Sequence, residues 1–96
     1  MGDPTITRAE NRYETHVDGH VAHLDFRRRG DVIDAYHTLV PRPIGGRGIA
    51  AALVERLVQD ARAEGLTIRP SCSYVEAWLR RGLAQSSKST SQSRSP

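Results

Sequence analysis

Cysteine is almost missing from this chain. Cys72 stands alone, so no disulfide can form within it. Lysine is as scarce: Lys88 is the only one, and the basic excess of 14 Lys and Arg over 11 Asp and Glu is carried almost wholly by arginine. Aromatic residues make up only 5% of the chain. That is too few to interleave with the arginines as base-stacking platforms, which weighs against a nucleic-acid binder in spite of a sequence pI near 9.6. The dense run Arg27-Arg28-Arg29 lies beside a turn and reads first as a solvated edge, although such a field also favours an anionic ligand. No apolar run approaches the roughly 20 residues that a membrane-spanning helix needs. Met1-Gly2-Asp3-Pro4 shows no charged and apolar leader, so a reducing cytoplasm is the expected compartment. The histidines His16, His20, His23 and His37 show no ligand spacing, and no metal site is expected.

What remains is enough for one small domain. With 96 residues, 38% of them hydrophobic, there is room for one sheet and two helices around a thin core. Residues 1–10 read as a loose arm, 11–84 as the domain, and 85–96 as an unstructured tail of Ser, Thr, Gln, Lys and Arg with no apolar anchor. Arg12–Val17 is rich in strand formers and ends at Asp18-Gly19, a two-residue hairpin signal. Ala22, Leu24 and Phe26 alternate with His23, Asp25 and Arg27, as in a strand with one buried face. A third strand runs from Val32 to Val40, with Ile33, Ala35, His37 and Leu39 expected on one face and Val32, Tyr36, Thr38 and Val40 on the other. Pro41 and Pro43 stop it. Ile49, Leu53, Leu57 and Ala61 recur at helical spacing up to Glu64, and Gly65 suits the end of that helix. Leu66–Arg69 reads as a short strand. Ser73 and Glu76 match a capping box that opens a second helix, with Val75, Trp78 and Leu79 on its inner stripe and an end near Gly82. The order β-β-β-α-β-α predicts an α+β fold: a mixed sheet with antiparallel hairpins, one right-handed β-α-β crossover and a C-terminal helix.

One stretch carries chemistry. In Val40-Pro41-Arg42-Pro43-Ile44-Gly45-Gly46-Arg47-Gly48-Ile49-Ala50, a strand ends, glycines free the backbone and a helix begins. The first amides of a helix lack internal partners and, with the helix dipole, attract anions. Glycine lets such a ligand approach closely. The stretch therefore reads as a phosphate or pyrophosphate site, against the plainer alternative of a flexible linker.

Three segments together give the chain a family likeness: His37-Thr38-Leu39-Val40-Pro41, then Gly46-Arg47-Gly48-Ile49-Ala50 running into Leu53, then Pro70-Ser71-Cys72-Ser73-Tyr74-Val75. Over about Asn11 to Arg81 it resembles the small, single-domain members of the Gcn5-related N-acetyltransferase superfamily. The resemblance implies a sheet that splays open around the acetyl-CoA arm. It also implies cofactor contacts from Val40, Gly45, Gly46, Arg47, Gly48, Ile49 and Ala50. Catalytic candidates come with it: Cys72 as an acetyl acceptor near the thioester and Tyr74 as the acid that protonates the leaving CoA thiolate; His37, by its place on a central strand, reads either as a base acting through water or as a satisfied core histidine. The chain departs from the family pattern at Gly45, where Arg or Gln is usual, at Leu39, where small relatives often carry Glu, and after Gly82, where an apolar continuation gives way to serines.

The residues themselves also bear on Cys72. A thiol at a helix start is stabilised as thiolate by the helix amides, whereas a lone cysteine is otherwise a small buried hydrophobe. The function expected is transfer of an acetyl group from acetyl-CoA to an amine or thiol. The alternatives are a CoA-binding module with little catalysis and, behind it, a small basic nucleic-acid-binding domain.

Overall fold

The computed structural model describes the backbone of residues 5–90 and side chains as far as Gly82. The described elements are β1 (Thr7–Arg8), β2 (Arg12–Val17), β3 (His20–Arg29), β4 (Val32–Leu39), α1 (Ile49–Glu64), β5 (Thr67–Pro70) and α2 (Ser73–Thr90). The five strands form one sheet in the order β1-β2-β3-β4-β5. All neighbours are antiparallel except β4 and β5, which are parallel and joined through α1. This is the expected mixed α+β sheet with a single crossover.

Local sequence explains most of it. Asp18 and Gly19 take positive φ of 50° and 79°, the conformation a tight hairpin between right-twisted strands requires. The apolar stripe of α1, made of Ile49, Leu53, Leu57 and Ala61 with Val54, is buried against the sheet. There it meets Tyr13, Ala22, Leu24, Phe26, Ile33 and Ala35, with Val75 from α2 joining the same core. Each large side chain of that layer contributes about 1.5–3 kcal/mol on leaving water. Gly65 ends α1 in the left-handed region, and the Leu66 amide reaches back 2.8 Å to the Ala61 carbonyl.

Several expectations are corrected. Part of the arm expected over residues 1–10 is β1, which pairs Thr7 with Glu14 and Arg8 with Tyr13. Two residues are too few to show a periodicity. Side chains hold the strand in place: Arg8 bonds Asp60 and Glu64, and the Thr15 hydroxyl donates to the Thr5 carbonyl at 2.7 Å. Pro41 is followed by a 3-10 turn, Arg42–Ile44, that buries Ile44 completely. The last helix does not end near Gly82; its backbone runs to Thr90. Of the tail expected at 85–96, residues 91–96 and the side chains beyond Gly82 lie outside the described residues.

The correction with most consequence lies in β4. Asp25 pairs with His37 but Phe26 pairs with Ala35, so Tyr36 is an extra residue in the ladder. A bulge of this kind reverses the facing of everything after it. Thr38, opposite the buried Leu24, therefore joins Ile33 and Ala35 on the helix side. His37 and Leu39, expected on that side, lie on the other, with His23 and Asp25.

Candidate functional site

The ladder between β4 and β5 stops early. β5 pairs with β4 only from Val32–Thr67 to Ala35–Pro70, whereas β4 continues to Leu39. Beyond Pro70 the chain turns into α2, and the Cys72 amide donates to the Ala35 carbonyl at 2.8 Å, closing the ladder. The β5-facing edge of β4 from Tyr36 to Leu39 thus has no strand beside it among the described residues, and the sheet splays there. The Tyr36 bulge sits at the start of the splay.

One end of this opening leads to the glycine turn. Gly45, Gly46, Arg47 and Gly48 are all exposed. Gly46 and Gly48 have φ of 77° and 75°, and a Cβ built on either meets nothing within 4 Å. Gly45 differs: its φ is −69°, but a Cβ there would crowd the Arg42 carbonyl at 3.3 Å. Gly48 is the N-cap of α1 and provides no side-chain cap, and the first turn has no acidic residue. Its carbonyl accepts the first helical bond, from the Ala52 amide at 3.0 Å. The Gly45 amide is taken by the Arg42 carbonyl at 3.0 Å, whereas the amides of Gly46, Arg47 and Gly48 make no such bond among the described residues, and the helix dipole adds to their pull on an anion. Ile49 anchors the turn in the core, Ala50 is half-buried, and Val40 packs against the core where β4 ends. Arg47 reaches across to the hairpin, with Nη1 2.7 Å from Asp18. Both groups are about half exposed or more, so that pair holds the arginine weakly.

The other end leads to Cys72. Its carbonyl accepts the Glu76 amide at 3.0 Å, which makes Cys72, not Ser73, the N-cap of α2. The expected Ser73–Glu76 capping box does not form: Ser73 is the first residue of the helix and Glu76 pairs with Arg80 instead. The cysteine sulfur takes the place of a capping oxygen. Partial burial pushes its pKa up. The Thr38 hydroxyl, 3.5 Å away, and the backbone amides of Val75, Tyr74 and Thr38 outweigh that, so the pKa settles below the usual thiol value.

The structure thus brings Thr38, Cys72 and the first amides of α2 together, and Thr38 is the member that sequence reasoning missed. Tyr74 lends its amide to this group, while its ring packs against the core. His37 is not part of it. The bulge places His37, exposed, on the open face, its ring centroid 5.9 Å from that of His23, whose Nδ1 lies 3.1 Å from Asp25. Among the described residues no three His, Cys, Asp or Glu side chains gather as a metal-ligand set.

With this geometry in hand, the comparisons with known proteins are informative. The family model described as GCN5-related N-acetyl-transferase matches residues 12–84. This chain belongs to that family. It is also similar to a GCN5-like protein of Staphylococcus aureus solved by NMR and assigned provisionally as an N-acetyltransferase. The two share 27% identity and a TM-score of 0.70, over 90% of this chain and 87% of that one. The family assignment fixes N-acetyltransferase chemistry as the general class. It fits a five-stranded mixed sheet that splays between its parallel pair. No helix among the described residues is long and apolar enough to cross a membrane, which says nothing of β-barrels.

Proposed function

We propose that this GCN5-related N-acetyltransferase binds acetyl-CoA across the splay, with the pyrophosphate on the glycine turn and the thioester beside Cys72. The observation that carries the reading is the splay itself. A strand edge with no strand beside it among the described residues, Tyr36–Leu39, lies between an uncapped helix start at Gly48 and a thiol with lowered pKa at Cys72. An extended pantetheine arm pairs naturally with such an edge. The amides from Gly46 to Ala50 then receive the phosphates, while Gly45, whose amide is held by the Arg42 carbonyl, lets the ligand approach. Arg42, exposed beside them, and Arg47, held only by a surface ion pair, are available to add charge.

For catalysis, the Cys72 thiolate attacks the thioester carbonyl carbon. The carbon–sulfur bond to CoA breaks, and CoA leaves as a thiolate that takes a proton from Tyr74. An amine acceptor then attacks the acetyl-cysteine carbonyl, Cys72 leaves as thiolate, and the amine proton passes to water. Water or the acceptor reprotonates Tyr74. His37 serves an acceptor that comes over the open face, where it acts as base through water. The second reading, a CoA-binding module with little turnover, draws on Leu39, an exposed apolar residue in the position where small relatives often carry a carboxylate.

Mass spectrometry after incubation with acetyl-CoA separates the two. The catalytic reading expects a bound cofactor together with an acetyl group on the peptide containing Cys72. That adduct is absent from Cys72→Ala, and its loss is accelerated by an acceptor amine. Cofactor without adduct or turnover supports the binding module. No bound cofactor at all contradicts both.

A further inference from the structure

The open face of the sheet carries a second opening, away from the splay. It is a depression of about 400 Å³ lined by Arg27, Arg29, Val32, Asp34 and Arg69. The strand register builds it. Asp34 in β4 faces Arg27 across β3 and Arg69 across β5, and Arg29 pairs with Val32 one step along. All three arginines are exposed, and none makes an ion pair among the described residues. Arg28, the middle residue of the same run, behaves differently: it points to the helix side and pairs with Glu64 at 3.2 Å. Arg27 is steadied by Tyr36, its guanidinium carbon 4.6 Å from the ring centroid.

Asp34 is the informative member. Its Oδ1 is buried and has no hydrogen-bond partner among the described residues, although two guanidinium groups flank it in the register. A buried carboxylate oxygen without a donor is costly, and natural structures rarely leave one so. The arginines stand around the depression instead of closing onto the acid. The depression is therefore lined by three cations and one carboxylate, whose buried Oδ1 lacks a donor.

We propose that this depression binds a small amine that carries two carboxylates, the class of the acidic amino acids. The ammonium donates to Asp34, and the carboxylates lie against Arg27, Arg29 and Arg69, whose planar donors suit bidentate contact. The charges match in kind and place. A simple anion would leave Asp34 without a donor, and a simple amine would leave the arginines unpaired. The proposal does not depend on acetyl-CoA binding.

The test is calorimetric titration of the full chain without acetyl-CoA, using L-glutamate, glutarate and inorganic phosphate as probes. Glutarate has the two carboxylates but no amine. L-glutamate is expected to bind, with glutarate weaker by about tenfold or more because the charge-assisted bond to Asp34 is absent. In Asp34→Asn the advantage of L-glutamate over glutarate disappears. In Arg69→Gln, a change on an exposed edge strand, both dicarboxylates weaken. Should Asp34→Asn fail to fold, the ligand comparison on the unaltered chain and on Arg69→Gln decides. Equal binding of glutarate or phosphate and L-glutamate overturns the proposal. So does a preference that survives in Asp34→Asn, or no binding by any of the three.

Discussion

The hydroxyl of Thr38 lies 3.5 Å from the sulfur of Cys72, across the gap where β4 and β5 part. The contact depends on the Tyr36 bulge, which turns Thr38 toward the helix side, and on the Cys72 amide bound to Ala35. It joins a strand residue to a helix cap and lowers the pKa of the chain's one thiol against the opposing effect of burial.

Thr38→Val keeps the shape of the side chain and removes the hydroxyl. The Cys72 pKa is then expected to rise towards its ordinary value near 9. The rate of iodoacetamide alkylation against pH measures this. The midpoint should be lower in the native protein than in denaturant and should rise in Thr38→Val. The sign for stability follows: a folded-state pKa below the unfolded one contributes stability that is fully present above the unfolded value and is lost as pH falls through the folded value. A native midpoint equal to the denatured one contradicts the account of Cys72.

Gly48 tests the turn. Its φ of 75° strains any other residue, yet a methyl group there meets no atom within 4 Å. Gly48→Ala is expected to cost about 1–2 kcal/mol from the left-handed backbone alone. Thermal unfolding should show a drop of several degrees in a domain of this size. If the turn receives the pyrophosphate as proposed, the same methyl crowds it, and acetyl-CoA affinity should fall by more than the stability loss explains. An unchanged affinity in folded Gly48→Ala removes the turn from the binding site.

Asp60 holds the far side of the fold together. It accepts from the buried Tyr13 hydroxyl at 2.8 Å and pairs with Arg8 and Arg56, each at 3.2 Å. Asp60→Ala leaves the Tyr13 hydroxyl without its acceptor and removes one acceptor each from Arg8, which keeps Glu64, and Arg56, which keeps the Ile6 carbonyl; it is expected to destabilise by about 2–3 kcal/mol. Tyr13→Phe should cost about 1 kcal/mol, since Asp60 keeps both arginines. Denaturant unfolding of the two single variants and the double variant gives the coupling; additive losses contradict the hub.

Much of this architecture was legible in the residues. Helix α1 occupies the expected span Ile49–Glu64 because its stripe repeats over four turns and ends at Gly65. The Asp18-Gly19 hairpin and strand β2 also lie where their residues indicate. What was not legible depends on partners distant in sequence. The bulge at Tyr36 is a mismatch between β3 and β4, and nothing in β4 alone marks it. Reading the strand with unbroken alternation therefore put His37 where Thr38 belongs. Strand β1 is held by contacts to Asp60 and Glu64 far along the chain. Cys72 replaces Ser73 as the cap because Ala35 fixes its amide, a constraint the Ser-x-x-Glu pattern does not contain.

Glu64 gives a pH test at the surface. Hydrogen bonding by Arg8, with Arg28 nearby, holds its carboxyl below the usual 4.5. The depressed value means that its contribution is complete above the unfolded pKa and is lost as pH falls through the folded one. Melting temperature against pH should therefore fall less steeply in acid for Glu64→Gln than for the unaltered chain, with the difference shrinking in high salt. Identical acid limbs contradict the pairing.

The central claim is that acetyl-CoA spans the splay from the glycine turn to Cys72, and amide NMR during a titration with acetyl-CoA tests it most directly. The expected result is large shifts confined to two groups of amides, those of residues 45–51 and those of Thr38, Leu39 and residues 72–75. The hairpin at Asp18-Gly19 should move only through the Arg47 contact, and β1 should not move. Saturable shifts centred elsewhere, or none at all, would contradict the account.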